Sequence, residues 1–89
     1  MVLSMYQIKA IVMDKLRKRG CWGARYAPTD SIINWLSKKI KKNGKRIRKA
    51  VKQLIKEGYL IPHKGGRTIS LNPSKSREII NFIEKFTKE

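Results

Sequence analysis

The sequence predicts a single α+β domain, mostly α, in the order helix, helix, tight turn, helix, β-hairpin, helix. Three observations lead there. Apolar residues recur at three- and four-residue spacing in four segments, the period of a helix with one buried face. Two strand-like runs, Tyr59-Leu60-Ile61 and Thr68-Ile69-Ser70-Leu71, flank the pair Gly65-Gly66. Glycine and proline fall between the segments, where they punctuate structure without breaking it.

The first helix is expected over about 4–19. Met5, Ile8, Val12 and Leu16 keep helical spacing, and Ile11 widens the stripe. "RKRG" closes it, with cations beside the last carbonyls and then Gly20, a common helix stop. "CWGARYAP" has no period and reads as a loop, with room for one short strand around Ala24–Ala27. The second helix is expected over about 30–42, starting at "PTDS", where Thr29 or Asp30 can cap the free N–H groups. Its buried stripe is Ile32, Ile33, Leu36 and Ile40, with Trp35 at the border. "KKNGK" interrupts the chain, because Asn43 and Gly44 tolerate the positive φ of a tight turn. The third helix follows over about 45–57 and stops at Gly58. A two-stranded hairpin is expected over about 59–72, closed by a two-residue Gly65-Gly66 turn, with Pro62 where an edge strand accepts it. Asn72-Pro73, a cap residue and then proline at the first helical position, opens the fourth helix over about 73–87.

Charge narrows the function. Lysine and arginine number 22 against six acids, a net +16 on 89 residues. Self-repulsion at that density disfavours a compact chain unless something anionic neutralises it. Nucleic acid is therefore the expected partner, and an anionic membrane surface the competitor. No stretch approaches the roughly 18–20 apolar residues of a transmembrane helix, and "MVLSMYQIKA" lacks the layout of a signal peptide. The expected location is cytoplasmic, on the nucleoid if DNA is bound. Cys21 and His63 are the sole cysteine and histidine, which excludes an internal disulfide and a Cys/His zinc or catalytic set. The acids are scattered and no phosphate-binding glycine loop occurs, so neither an enzyme nor a cofactor is expected.

The cations are not evenly spread. Lys38 to Lys56 holds ten of the 22, and no acid occurs between Asp30 and Glu57. On a helical wheel of about 100° per residue, Ile47, Ala50, Val51, Leu54 and Ile55 fall within one arc of roughly 140°. Lys45, Lys49, Lys52 and Lys56 lie opposite, with Arg46, Arg48 and Gln53 on the flanks. A merely solvated face usually mixes signs, since Glu–Lys pairs stabilise a helix and like charges do the reverse. The third helix therefore reads as an apolar back for the core and a cationic front for a polyanion.

The turn "KKNGK", the helix "RIRKAVKQLIKEGYLI" and the hairpin "HKGGRTISL" together resemble a winged helix-turn-helix domain, of the small kind found in many archaeal proteins. The resemblance covers about Ile8 to Asn72. It implies duplex DNA binding, with the third helix in the major groove and the hairpin as a wing on the backbone or minor groove. Either a transcription regulator or a low-specificity chromatin-type factor fits. The nucleic-acid-binding positions are then Lys42, Asn43, Lys45, Arg46, Arg48, Lys49, Lys52, Gln53 and Lys56, with Lys64 and Arg67 on the wing. Lysines suit phosphates, so mostly backbone contact is expected; Arg46, Arg48, Lys49 and Gln53 are the candidates for reading base edges. The alternative for "KGGR" is a tight hairpin with soluble flanks, and the neighbouring basic helix favours contact.

Three questions stay open at the level of sequence. An RNA-binding or ribosome-associated basic domain fits the same charge, and Trp22 and Tyr26 with Arg25, if exposed, favour RNA or single strands. The same aromatics can instead plug the end of the core. A protein-interaction module is the third class. In the fourth helix, Ile79, Ile80, Phe82, Ile83 and Phe86 point in more directions than one packing face requires, so a homodimer contact is the expectation there, against a monomer packed on two sides.

Overall fold

The computed structural model describes residues 4–39 and 44–87. Helix α1 spans Met5–Lys18, strand β1 Ala27–Pro28, helix α2 Thr29–Lys39 and helix α3 Gly44–Lys56. Strand β2 is Leu60–His63, β3 is Thr68–Leu71, and helix α4 is Ser76–Thr87. The architecture is α+β and mostly helical: four helices with one small antiparallel sheet of order β1-β3-β2.

Local chemistry accounts for the helix ends. Ser4 and Gln7 form a reciprocal capping box at α1, the Gln7 N–H donating to Ser4 Oγ at 3.1 Å and the Ser4 N–H to Gln7 Oε1 at 2.8 Å. Both glycine stops hold. After α3, the Gly58 N–H donates to the Ile55 carbonyl and the Tyr59 N–H to that of Leu54, with Gly58 at φ +85°. Gly20 and Cys21 repeat the pattern on Arg17 and Leu16 after α1. These paired bonds satisfy carbonyls that a bare helix end leaves open.

Three expectations need correction. The short strand lies at Ala27–Pro28, later than placed, and pairs with β3 through Ala27↔Ile69 and Pro28↔Thr68, so the hairpin becomes a three-stranded sheet. Pro28 and Pro62 both sit on its outer strands, where a missing N–H is tolerated. The turn is not two residues long: His63 pairs with Thr68, leaving 64–67 between the strands. Lys64, Gly65 and Gly66 all have positive φ (52°, 70° and 92°), so the left-handed stretch begins one residue before the glycines. Finally, Asn72 caps as expected, its Oδ1 accepting from the Ser74 N–H at 3.0 Å, but Pro73–Lys75 form a 3₁₀ turn before α4 begins.

Helix α1 packs against α4 and α3, and α2 closes against α3. Ile8, Val12, Leu16, Ile32, Leu36, Ile47, Leu54 and Ile79 are all fully buried. Ile40, the last member of the expected α2 stripe, lies outside the described residues, as does the expected continuation of that helix to 42.

Central placement makes α1 bury more than its stripe, and Lys9, Ala10 and Met13 go inside with it. Lys9 is only 4% exposed. Its ammonium donates to both carboxylate oxygens of Glu57, at 3.0 and 3.2 Å, which ties α1 to the end of α3. Asp14, also on α1, is bonded by Arg17 at 2.7 Å and Lys18 at 3.2 Å. Partial burial pushes its carboxyl up, but the hydrogen bonds and charges of those two cations outweigh burial and hold it below its ordinary value.

Candidate nucleic-acid interface

Helix α3 divides as its sequence pattern demands. Ile47, Ala50, Val51 and Leu54 are buried, and Ile55 packs against the core from its edge. Lys45, Arg48, Lys49, Lys52 and Lys56 are exposed, whereas Arg46 and Gln53 are half-buried on the flanks. Lys42 and Asn43 lie outside the described residues.

The placement of the acids sharpens this contrast. Asp14 serves Arg17 and Lys18, and Glu57 serves Lys9. Among the described residues no carboxylate comes within ion-pair distance of Lys45, Lys49, Lys52 or Lys56. The first turn of α3 also lacks an acid, although a helix N-terminus favours negative charge. Lys45, in that first turn, therefore has neither an acid beside it nor a carboxylate partner among the described residues, whereas Lys56 lies in the last turn, where a cation is favourable.

Arg48 is the exception on α3. Its guanidinium lies 3.8 Å from Asp30, a long and exposed pair worth about 0–1 kcal/mol. It turns toward a groove of about 420 Å³ bounded by α3, the start of α2 and the hairpin turn. Arg48, Lys52 and Arg67 line this groove, with Asp30 at its rim and Ile33, Val51 and Ile55 among its apolar walls. Three of the expected contact residues are thus brought together from two separate elements.

The hairpin turn that bounds the groove is anchored to the start of α2. Thr29 Oγ1 donates to the Gly66 carbonyl at 2.8 Å, and the Thr29 N–H donates to the Arg67 carbonyl at 2.9 Å. Sequence reasoning gave Thr29 only a capping role at α2, and nothing in "PTDS" reveals a partner 37 residues away. Replacing Thr29 by Val is expected to remove the hydroxyl bond, lower stability by about 1 kcal/mol and weaken nucleic-acid binding several-fold with no change in charge. Thermal unfolding and a duplex titration check this, and wild-type values in both would show that the turn is held without Thr29.

Lys64 does not join Arg67. Its ammonium lies 5.4 Å from the centre of the Tyr26 ring, on the other side of the turn. The two loop aromatics also part company. Trp22 packs against the core and bridges to Leu71, as a plug would, whereas Tyr26 remains 42% exposed and stacks on His63 at 4.8 Å. His63 is more than a strand residue, because its Nε2 also lies 3.1 Å from the Oγ of the buried Ser70.

On α4, Ile79 and Ile83 are buried and Phe82 packs partly into the core. Phe86 and Phe82 gather around Tyr6 of α1, with Phe86 stacked on Tyr6 at 5.3 Å and Phe82 at 4.8 Å from Phe86. Tyr59 approaches Phe82 from the far side at 6.0 Å. Ile79, Ile83, Phe82 and Phe86 thus find partners within the chain. Ile80 and Phe86 stay half-exposed.

No helix among the described residues is long and apolar enough to cross a membrane. No protein-family model, curated protein or solved structure matches the chain, so the functional reading stands on this geometry alone.

Proposed function

We propose that this chain is a winged helix-turn-helix protein that binds double-stranded DNA. In this reading α3 enters the major groove, the β2–β3 hairpin is the wing, and the protein acts as a transcription regulator or a low-specificity chromatin-type factor on the nucleoid. The element order supports it, with three helices, a short strand beside the hairpin and the third helix presenting its polar face outward. The observation that carries it is the front of α3: four exposed lysines with no carboxylate partner among the described residues, in a protein that pairs Lys9, Arg17 and Lys18 with its acids.

Lysines on the front and arginines at the groove divide the work by chemistry. Lys45, Lys49 and Lys56 are compact point charges suited to phosphates, which set position and non-specific affinity. Arg48 and Arg67 flank the groove, and the fork of a guanidinium can take a phosphate or a guanine edge in two-pronged fashion. A lysine-dominated surface of this kind gives modest sequence preference and strong salt dependence.

The test is binding to a random duplex and to a matched RNA hairpin across a salt series. With about six phosphates neutralised, log K is expected to fall against log salt with a slope near −5, roughly a thousandfold between 50 and 200 mM. Equal or tighter binding to the RNA hairpin would overturn the duplex DNA reading and favour an RNA-associated role. The homodimer contact expected of Ile79, Ile80, Phe82, Ile83 and Phe86 is a separate proposal, resting on the half-exposed Ile80, Phe82 and Phe86, and sedimentation showing only monomer at tens of micromolar would reject it.

A further inference from the structure

The outer face of the sheet carries an exposed aromatic ring with cations nearby, away from the front of α3. Ala27 is buried, so alternation along β1 sends the preceding Tyr26 outward, over the face opposite the core. There its ring stacks on His63 at 4.8 Å with an interplanar angle of 28°. His63 is itself held in place from below, its Nε2 at 3.1 Å from Ser70 Oγ, which in turn donates to the Gly23 carbonyl at 2.8 Å. Tyr26 is thus backed by an anchored ring and yet keeps 42% of its surface in solvent. Only Tyr6 among the large apolar side chains described is more exposed.

Cations surround it. Arg19 and Arg25 are exposed and border, with Tyr26, a depression of about 520 Å³ along β1 and the loop before it, and the Lys64 ammonium lies 5.4 Å from the Tyr26 ring centre. Among the described residues none of these three cations has a carboxylate partner. The hydrogen bonds of His63 and Ser70 account for the lower ring, and Lys64 meets the Tyr26 ring, but these contacts leave the exposed part of the tyrosine and the nearby Arg19 and Arg25 without a structural role. A flat π surface ringed by positive charge matches one chemical object well, a base with its flanking phosphates. The turn 64–67 contributes Lys64 to the surroundings of Tyr26 and Arg67 to the α3 groove, so a single turn links the two.

We propose that Tyr26, backed by His63 and flanked by Arg19, Arg25 and Lys64, is a stacking platform for an unpaired base of a DNA single strand that continues from the duplex on α3. The proposal rests on the duplex reading for that continuity. It makes the protein a binder of duplex ends, gaps or locally opened DNA rather than of uninterrupted duplex alone.

The experiment compares a blunt duplex, the same duplex with a single-stranded thymine tail, and the thymine tail alone, using fluorescence anisotropy. The tail is expected to tighten binding on the order of tenfold, the effect of one base stacked on an aromatic side chain. Tyr26→Ala should abolish that gain and leave blunt-duplex affinity at the wild-type value, while Tyr26→Phe, which keeps the ring, should retain it. A tail that adds nothing, or a gain that survives Tyr26→Ala, overturns the platform while the duplex reading stands. Failure to bind the blunt duplex would instead count against the duplex reading. In that case Tyr26-dependent binding of the free thymine strand supports the platform, and its absence overturns it.

Discussion

Exchange of Lys45, Lys49 and Lys52 for Gln is expected to halve the salt dependence of DNA binding, from a slope of about −5.4 to about −2.7. Each lysine that neutralises a phosphate releases close to one counterion, and that release is what the slope counts. The fold should be untouched, because all three side chains are exposed and none meets a carboxylate among the described residues. Glutamine is a comparable helix former. Removing the like-charge neighbours Lys45–Lys49 and Lys49–Lys52 relieves a few tenths of a kcal/mol of repulsion. The unfolding temperature of the triple variant should therefore equal or slightly exceed that of the parent. A parent-like slope in the triple variant would mean that phosphates are held on another face, and the proposed docking would be wrong even if DNA is bound.

Glu57→Ala is expected to have the largest effect on stability of any single change outside the apolar core. It leaves the Lys9 ammonium inside the α1–α3 contact without its partner. Stranding one member of a buried pair costs about 3–5 kcal/mol. Here the Glu57 side chain is 45% exposed, so water reaches the gap, and about 2 kcal/mol is the expected loss after discounting for that access. In a domain of this size that corresponds to a fall of roughly 10 °C in Tm. The double variant Lys9→Met with Glu57→Gln removes both charges and should recover most of the loss, since an apolar side chain fills a similar volume without desolvation cost. Thermal unfolding of Lys9→Met, of Glu57→Gln and of the double variant reads the coupling directly. If Glu57→Ala unfolds at the parent temperature, water already solvates Lys9, and the pair does not lock α1 to α3.

The two predictions concern residues of different legibility. The front of α3 could be read from the chain because it depends only on helical period and charge: Ile47, Ala50, Val51 and Leu54 fall on one side, and Lys45, Lys49, Lys52 and Lys56 on the other. The stops at Gly20 and Gly58, the Asn72 cap and the hairpin around Gly65-Gly66 were legible for the same reason, since each is a local property of a few consecutive residues. Lys9 was not. Its burial follows from α1 being covered by several neighbours, which widens the buried arc beyond the apolar stripe.

The functional surface divides along the same line. Composition alone pointed to a polyanion as the expected partner, and periodicity alone marked the helix with an unbroken cationic face. Only the tertiary structure decided that Arg67 joins Arg48 and Lys52 in a groove while Lys64, three residues earlier, crosses to Tyr26. Likewise it decided that Trp22 is packed and Tyr26 exposed, although both lie in one aperiodic loop. The reason is physical. Period and capping act over one or two turns of chain, whereas the direction of a turn or loop side chain is set by groups far along the sequence, such as Thr29 on Gly66 and Ser70 on Gly23.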